Sequence, residues 1–142
     1  MAGKERQMAE SLSGIDASHQ IRYGYVMRML KNSYEVLDFA CGCGYGSSLM
    51  AKLAKHVTGI DISEEAIAYA RQFWLAPNIS YVCANENGID GQYDIITMFE
   101  IIEHVDDGET TLKKVASHLK EGGLLFISTP DGDNYPFNPE NP

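Results

Sequence analysis

The stretch VLDFACGCGYG, residues 36–46, decides the fold of this chain. It predicts a buried strand, then a glycine-rich turn, then the start of a helix. Fifteen residues after Gly46, a second apolar strand ends at Asp61. A strand, a glycine turn, a helix and a second strand ending in a carboxylate form the layout of a nucleotide-type pocket at the end of a parallel sheet. The order therefore predicts an α/β fold with a ligand site at this edge.

The glycines allow a ligand to approach the backbone closely. Gly42, Gly44 and Gly46 lack a Cβ atom, so they can adopt positive φ and leave room that a side chain would fill. We therefore expect Gly44→Val to block the pocket. Asp61 is placed to accept hydrogen bonds from two ribose hydroxyls, unless it is only a solvated acid at a strand end.

The spacing of the glycines separates two classes of nucleotide site. The pattern Gly42-x-Gly44-x-Gly46, with Asp38 four residues before the first glycine, departs from the Gly-x-Gly-x-x-Gly of dinucleotide-binding folds. The sequence also shows no recognisable hydride-acceptor site. A dinucleotide oxidoreductase is therefore a disfavoured interpretation.

Composition limits the partners and the compartment. The chain has 142 residues, enough for one core, and a net charge of −9. This charge disfavours nucleic acid, anionic membranes and acidic substrates, because nucleic-acid binding needs clustered Lys and Arg. The sequence has no apolar run of membrane-spanning length and no signal-peptide core, so we expect a cytoplasmic protein.

The cysteines predict neither a disulfide framework nor a metal centre. Cys41, Cys43 and Cys83 make an odd number, which favours reduced thiols. Cys41-x-Cys43 has no second Cys or His pair at ligand spacing, so small residues lining a pocket are favoured over a metal half-site.

Hydrophobic periodicity predicts alternating helices and strands. Helices are expected at residues 18–30, 46–56, 64–75 and 108–119, with Ser63 as the N-cap of the third. The first two should pack on the sheet through Ile21, Tyr25, Val26, Met29 and Leu30, and through Leu49, Met50 and Leu53. Strands are expected at 35–40, 57–62, 79–84, 93–99 and 124–128, the last entered through a turn at Gly122 and Gly123. This alternation implies right-handed crossovers and a parallel sheet.

Four segments in order resemble the class I S-adenosylmethionine-dependent methyltransferases. They are the glycine motif at 38–46, the acidic strand end at 59–63, FEIIEHV at 99–105 and LKEGGLLFISTP at 119–130. The resemblance implies a Rossmann-like three-layer sandwich with a mainly parallel sheet of strand order 3-2-1-4-5, and S-adenosylmethionine as the cofactor. It also implies a single domain, with a helical N-terminal segment 1–33, a core 34–130 and a tail 131–142.

The end of the sequence raises a question about the last strand. Family members usually continue with another helix and two strands, and this sequence lacks those last two strands. The apolar fifth strand would then be an open edge, which favours association. We expect a second copy of the chain, a partner chain or the tail to cover it, unless the chain is a fragment.

The resemblance implies a set of cofactor contacts, made by Arg22, Tyr23, Asp38, Ala40, Gly42, Gly44, Tyr45, Asp61, Ile62, Asn85 and Glu100. Asp38 would reach the cofactor's amino group directly or through water, unless it is a turn or capping carboxylate. Gly42 and Gly44 would line the methionine and ribose side. Ile62 would flank the adenine, unless it packs in the core. Asn85 would accept a hydrogen bond from the adenine amine, unless it is an ordinary loop residue.

The first helix carries His19-Gln20-Ile21-Arg22-Tyr23, which resembles a segment of some relatives. There an aromatic side chain covers the methionine portion and a basic one meets its carboxylate. Arg22 suits the second role because its guanidinium can bind bidentately, the alternative being a solvated helix face. Tyr45 would pack over the same region or plug the start of the second helix.

Methyl transfer from a sulfonium is an in-line displacement, so holding the acceptor in line and excluding water can supply most of the catalysis. Among Glu100, Glu103 and His104, which follow the fourth strand, His104 is the candidate base for a hydroxyl acceptor, unless it only holds its loop. The segment 100–105 is most similar to that of relatives acting on small molecules. It favours a small-molecule acceptor, methylated on a hydroxyl oxygen. The alternative is a cofactor-binding module without transferase activity of its own.

Overall fold

Strands and helices alternate in the computed structural model, which describes residues 17–129. The helices are α1 (Ala17–Met27), α2 (Tyr45–Ala51), α3 (Glu64–Phe73) and α4 (Gly108–Ala116). The strands are β1 (Glu35–Phe39), β2 (His56–Asp61), β3 (Ile79–Cys83), β4 (Tyr93–Phe99) and β5 (Leu119–Ser128). Short 3₁₀ turns lie at Glu86–Gly88 and Ile102–His104.

The five strands form one parallel sheet in the order β3-β2-β1-β4-β5. This confirms the Rossmann-like order 3-2-1-4-5. In the central strand, Asp38 is level with Gly59 of β2 and with Thr97 of β4. Because the strands are parallel, their carboxyl ends meet at one edge. The residues that follow β1, β2 and β4 therefore lie close together.

Two apolar clusters cover the two faces of the sheet and make three layers. Neighbours in β1 point to opposite faces, with Val36 in one cluster and Leu37 in the other. The first cluster holds Val26 of α1 and Met50 of α2, and the second holds Val115 of α4. None of the helices among residues 17–129 has the length and apolar character to cross a membrane.

Helix α1 packs through a different face from the one that its periodicity predicts. Ile21, Tyr25 and Met29 are 70%, 61% and 47% exposed, whereas Tyr23 and Val26 are buried. The prediction was wrong for the first three residues and right for Val26. The Tyr23 hydroxyl has a buried carboxylate partner, and apolar spacing alone cannot reveal a partner of that kind.

Helix α2 is shorter than predicted and ends at Ala51. Met50 is fully buried and Leu49 packs against the core, but Leu53 is 42% exposed, contrary to the prediction. The Asn78 side chain stabilises this helix end, because its Nδ2 donates to the carbonyls of Ala51 (2.8 Å) and Ala54 (3.2 Å). The predicted N-cap of α3 is confirmed, since the Ser63 side chain accepts from the Ala66 amide.

Strand β5 begins earlier than predicted. Leu119 pairs with Tyr93 and Leu124 pairs with Ile95, so the intervening residues form a bulge within the strand rather than a turn before it. Gly122, with φ of 76°, lies in this bulge. In the described part of the chain β5 pairs with β4 alone, and its Leu124 and Ile127 are each 44% exposed. The tail at 131–142 lies outside the described residues, so the predicted covering of this edge stays a prediction.

Candidate functional site

Backbone strain marks the carboxyl edge of the sheet. Among residues 17–129, the non-glycine residues with positive φ are Ala40 (60°) and Glu100 (52°). Each directly follows a central strand, β1 or β4, and these two strands are neighbours. Strained backbone of this kind concentrates at functional sites, where surrounding structure holds it in place. The crevice between these strand ends is therefore the candidate site.

The loop after β1 contains two glycines with different surroundings. Gly42 has φ of 56°, and a Cβ atom built on it would meet nothing within 4 Å. A Cβ atom on Gly44 would lie 2.6 Å from Ala70 Cβ and 2.8 Å from the Tyr81 hydroxyl oxygen. A side chain at position 44 would therefore collide with α3 and β3 rather than fill the crevice, so Gly44→Val would act on the pocket by displacing the loop, and this effect stays a prediction. Gly42 is the glycine that borders open space.

Asp61 joins this loop to the end of β2. Its Oδ2 accepts from the Gly42 amide and its Oδ1 from the Ser63 amide, both at 2.9 Å. The residue is only 7% exposed, so the alternative of a solvated strand-end acid is excluded. Each carboxylate oxygen can accept more than one hydrogen bond, so contact with ribose hydroxyls stays a prediction that this geometry permits.

Ile62 and Asn85 follow β2 and β3 at the same edge. Ile62 is 71% exposed, which excludes the alternative of core packing. The Asn85 Oδ1 accepts from the Asn87 amide at 3.0 Å and so caps the 3₁₀ turn. Asn85 therefore has a local structural role, and its contact with an adenine ring stays a prediction.

Asp38 is almost completely buried and is surrounded by hydroxyl groups. Its Oδ1 accepts from Thr97 Oγ1 (2.7 Å), its Oδ2 accepts from Ser47 Oγ (2.7 Å), and the Tyr23 hydroxyl approaches both oxygens (3.0 and 3.3 Å). Burial raises the pKa of Asp38 to about 6; the three hydroxyl hydrogen bonds lower it, and the charge of Asp61 raises it. Because Asp38 is only 1% exposed, its carboxylate cannot contact a ligand directly. Its hydrogen-bond donors are side-chain hydroxyls and not backbone amides, so it is not a helix cap.

Arg22 forms an ion pair instead of lying on a solvated helix face. Its Nη2 is 2.7 Å from Glu100 Oε1, which also accepts from Ser128 Oγ at 3.1 Å. Within the described residues, the second terminal nitrogen of Arg22, Nη1, is buried without a hydrogen-bond partner. A groove of about 330 Å³ lies beside this pair, lined by Ile21, Arg22, Tyr25, Phe99, Phe126, Ile127 and Ser128. We call it the aromatic groove.

His104 lies in a different groove from Arg22. This second groove, of about 380 Å³, is lined by Glu86, His104, Val105, Asp106, Asp107, Thr110 and Thr111. His104 Nε2 is 3.7 Å from Glu103 Oε1, and burial raises the pKa of Glu103. The structure does not bring His104 and Arg22 into one groove, and a catalytic role of His104 stays a prediction.

Comparison with known proteins identifies the family. A family model described as a methyltransferase domain matches residues 12–138. This chain belongs to the methyltransferase domain family. Its sheet order and glycine loop agree with this membership, and its cofactor is S-adenosylmethionine.

Relatives of this methyltransferase domain include curated proteins from several bacteria. The ubiquinone biosynthesis O-methyltransferase of Aeromonas salmonicida is 37% identical over 100 residues, which are 66% of this chain and 42% of that protein. A probable S-adenosylmethionine-dependent methyltransferase of Mycobacterium tuberculosis is 33% identical over 114 residues, 74% of this chain and 41% of that protein. The chain thus spans less than half the length of these relatives.

Solved structures share the fold. The N-methyltransferase NodS of Bradyrhizobium japonicum, in complex with S-adenosylhomocysteine, has a TM-score of 0.68 at 19% identity over 79% of this chain and 62% of that one. The DhpI complex with S-adenosylhomocysteine has a TM-score of 0.68 at 27% identity over 82% of this chain and 59% of that one.

The residues at the carboxyl edge fit this cofactor. Gly42 leaves open space beside the loop, Asp61 places a carboxylate next to that space, and Ile62 exposes an apolar side chain. The Nη1 of Arg22, which has no hydrogen-bond partner among residues 17–129, suits the carboxylate of an amino-acid group. The described residues contain no group of three or more His, Cys, Asp or Glu side chains placed to hold a metal ion.

Sequence reasoning missed three residues that shape the site. Ser47 and Thr97 surround Asp38, and the Tyr81 hydroxyl donates to the Gly44 carbonyl at 3.0 Å. Thr97 had a signal, because it is a polar residue inside an otherwise apolar strand. Tyr45 is buried at the start of α2 with its ring edge-on to Tyr23, which favours its role as a plug.

Proposed function

We propose that this methyltransferase domain transfers a methyl group to a small-molecule acceptor, on a hydroxyl oxygen. The observation that carries the proposal is the aromatic groove, which opens beside the Arg22–Glu100 pair at the edge that holds the cofactor residues. The similarity to ubiquinone biosynthesis O-methyltransferases supports oxygen as the acceptor atom.

Different residues at the carboxyl edge bind different parts of the cofactor. Asp61 accepts hydrogen bonds from the ribose hydroxyls, and Gly42 leaves the space in which the sugar lies. Ile62 and Asn85 flank the adenine. Arg22 Nη1 binds the carboxylate of the methionine portion, and Ala40 and Glu100 present strained backbone beside it. Tyr23, Gly44 and Tyr45 support the loop and the first helix from within.

The acceptor binds in the aromatic groove. S-adenosylmethionine supplies an electrophilic methyl group on a sulfonium sulfur. Tyr25, Phe99 and Phe126 hold a flat apolar acceptor and exclude water, so that its oxygen stays in line with that group. His104 stays the candidate base for the hydroxyl proton because an imidazole can accept a proton near neutral pH, and it would have to reach the acceptor from the second groove, which it lines.

A cofactor-binding module without its own transferase activity is the second candidate. The observation that favours it is the outer edge of β5, which in the described residues pairs with β4 alone and exposes Leu124 and Ile127. In this case a second copy or a partner chain would complete the acceptor side along the exposed edge of β5. The net charge of −9 argues against nucleic acid as a partner.

Calorimetry followed by a transfer assay tests the proposal. We expect micromolar binding of S-adenosylmethionine and S-adenosylhomocysteine and no binding of NAD. We also expect transfer of labelled methyl to a catechol and none to an aniline of the same size. Cofactor binding with no transfer to any acceptor would favour the binding module, and absence of cofactor binding would contradict both candidates.

A further inference from the structure

A hydroxyl group connects the N-terminal helix to the floor of the site. Tyr23 of α1 donates to the buried carboxylate of Asp38 in β1, at 3.0 Å to Oδ1. Tyr23 is 5% exposed and Asp38 is 1% exposed, so water does not compete for this bond. A charge-assisted hydrogen bond in such surroundings is strong and directional.

The ring of Tyr23 is held on three sides. It lies against Gly46, where a Cβ atom would collide with it. It is edge-on to Tyr45 of α2, with centroids 5.4 Å apart, and edge-on to Phe99 of β4, at 5.0 Å. One side chain thus fixes α1 relative to β1, α2 and β4.

Arg22 is the next residue along the same helix. Its ion pair with Glu100 joins α1 to the end of β4 at the crevice. Rotation of α1 about its axis would move Tyr23 and Arg22 together, because both belong to one helical turn. The position of the Arg22 guanidinium therefore depends on the bond between Tyr23 and Asp38.

We propose that Tyr23 is a positioning residue, which uses its hydrogen bond to Asp38 to hold Arg22 over the amino-acid end of the cofactor. This inference rests on the proposed function, in which Arg22 binds the cofactor carboxylate. It assigns to the Tyr23 hydroxyl an effect on the amino-acid portion of the ligand and none on the adenosine portion.

The pKa of Asp38 reports on the hydrogen bond from the Tyr23 hydroxyl. Tyr23 faces Asp38 from α1, Ser47 from α2 and Thr97 from β4, while the charge of Asp61 in β2 raises its pKa. The charge of Asp38 in turn raises the pKa of Cys41 in the loop. The three hydroxyls all stabilise the ionised carboxylate. Removal of the Tyr23 hydroxyl should therefore raise the pKa of Asp38 further.

Two ligands separate positioning from general damage. S-adenosylhomocysteine carries the amino-acid group, whereas 5′-methylthioadenosine has the adenine, ribose and thioether without it. In calorimetric titrations of the chain, Tyr23→Phe should weaken S-adenosylhomocysteine about 10-fold and leave 5′-methylthioadenosine within about 2-fold. The matched control Tyr34→Phe, whose ring lies under the Lys31 ammonium away from the crevice, should bind both ligands like the wild type.

A double-mutant cycle tests whether Tyr23 acts through Arg22. On an Arg22→Gln background, Tyr23→Phe should cause little further loss of S-adenosylhomocysteine affinity. A separate readout needs no ligand: carboxyl ¹³C titration by NMR should give a higher pKa for Asp38 in Tyr23→Phe than in the wild type.

The outcomes that overturn the proposal are distinct. Equal weakening of both ligands by Tyr23→Phe would mean that the hydroxyl only supports the fold. Unchanged affinity for both, with the wild type binding normally, would overturn the inference and leave the proposed function intact. A wild-type chain that binds neither ligand would overturn the proposed function and this role of Tyr23 with it.

Discussion

Gly42 and Gly44 of the loop after β1 differ in what an added Cβ atom would contact. Gly42 borders open space, whereas the missing side chain of Gly44 leaves room for Ala70 and Tyr81. Both residues have positive φ, so both substitutions carry backbone strain. They differ in where the added methyl group would lie, and this difference separates a ligand effect from a folding effect.

The two alanine variants should therefore fail in different ways. Gly44→Ala should lower the free energy of unfolding by about 2–4 kcal/mol, through strain and the collision with α3 and β3. Gly42→Ala should cost about 1 kcal/mol of stability for the strain and also weaken S-adenosylhomocysteine, because the methyl group enters the ligand space. Urea denaturation and calorimetry measure both quantities. Equal losses of stability in the two variants would contradict the assignment of Gly42 to the crevice.

Side-chain hydrogen bonds between elements hold α2 and the glycine loop in position at the carboxyl edge of the sheet. Asn78 lies between α3 and β3, yet its side chain holds the carbonyls at the end of α2. The single hydroxyl proton of Tyr81, in β3, is shared between the carbonyls of Gly44 (3.0 Å) and Trp74 (2.8 Å). These bonds satisfy carbonyl groups that a helix end and a tight loop leave without partners. They fix the position of α2, which begins directly after the glycine loop.

The role of Asn78 can be tested with an exposed asparagine as control. Asn78→Ala removes both hydrogen bonds to the end of α2 and should lower the free energy of unfolding by about 1–2 kcal/mol in urea. Asn32→Ala, at an exposed position, should stay within about 0.5 kcal/mol of the wild type. Asn78 precedes the amino end of β3, whereas the crevice lies at the carboxyl ends of the strands, so we expect S-adenosylhomocysteine affinity to change little. A neutral Asn78→Ala would mean that this helix end needs no side-chain partner.

At the scale of the whole molecule, Asp38 links stability to pH. Its pKa is about 6 in the folded chain, above its ordinary value of 3.8. Between these two values the folded state binds more protons than the unfolded state, so the stability that Asp38 contributes falls as pH rises. Asp94 and Asp107 have lowered pKa values and act in the opposite direction at lower pH, so a single substitution must isolate Asp38.

Asp38→Asn should remove this part of the pH dependence. From about pH 4 to pH 6 the wild type should lose on the order of 2–3 kcal/mol that the variant keeps, because one pKa unit corresponds to about 1.4 kcal/mol. Urea denaturation at several pH values measures the difference. The control Asp106→Asn, at an exposed position, should follow the wild-type profile. Parallel profiles for Asp38→Asn and the wild type would refute a raised pKa at this position.

The local sequence determined the order of strands and helices, because glycine turns, apolar runs and helix caps act between near neighbours. It therefore predicted the glycine loop that follows β1, the N-cap residue Ser63 of α3 and the carboxylate of Asp61 at the end of β2. The tertiary structure decided which faces are buried and which polar groups meet. Helix α1 buries Tyr23, which bonds to Asp38, and exposes its apolar stripe. Asp38 is too deeply buried for direct contact with a ligand, and Arg22 forms an ion pair with Glu100. These outcomes depend on hydrogen bonds between residues distant in sequence, whose partners exist only once the sheet has brought them together.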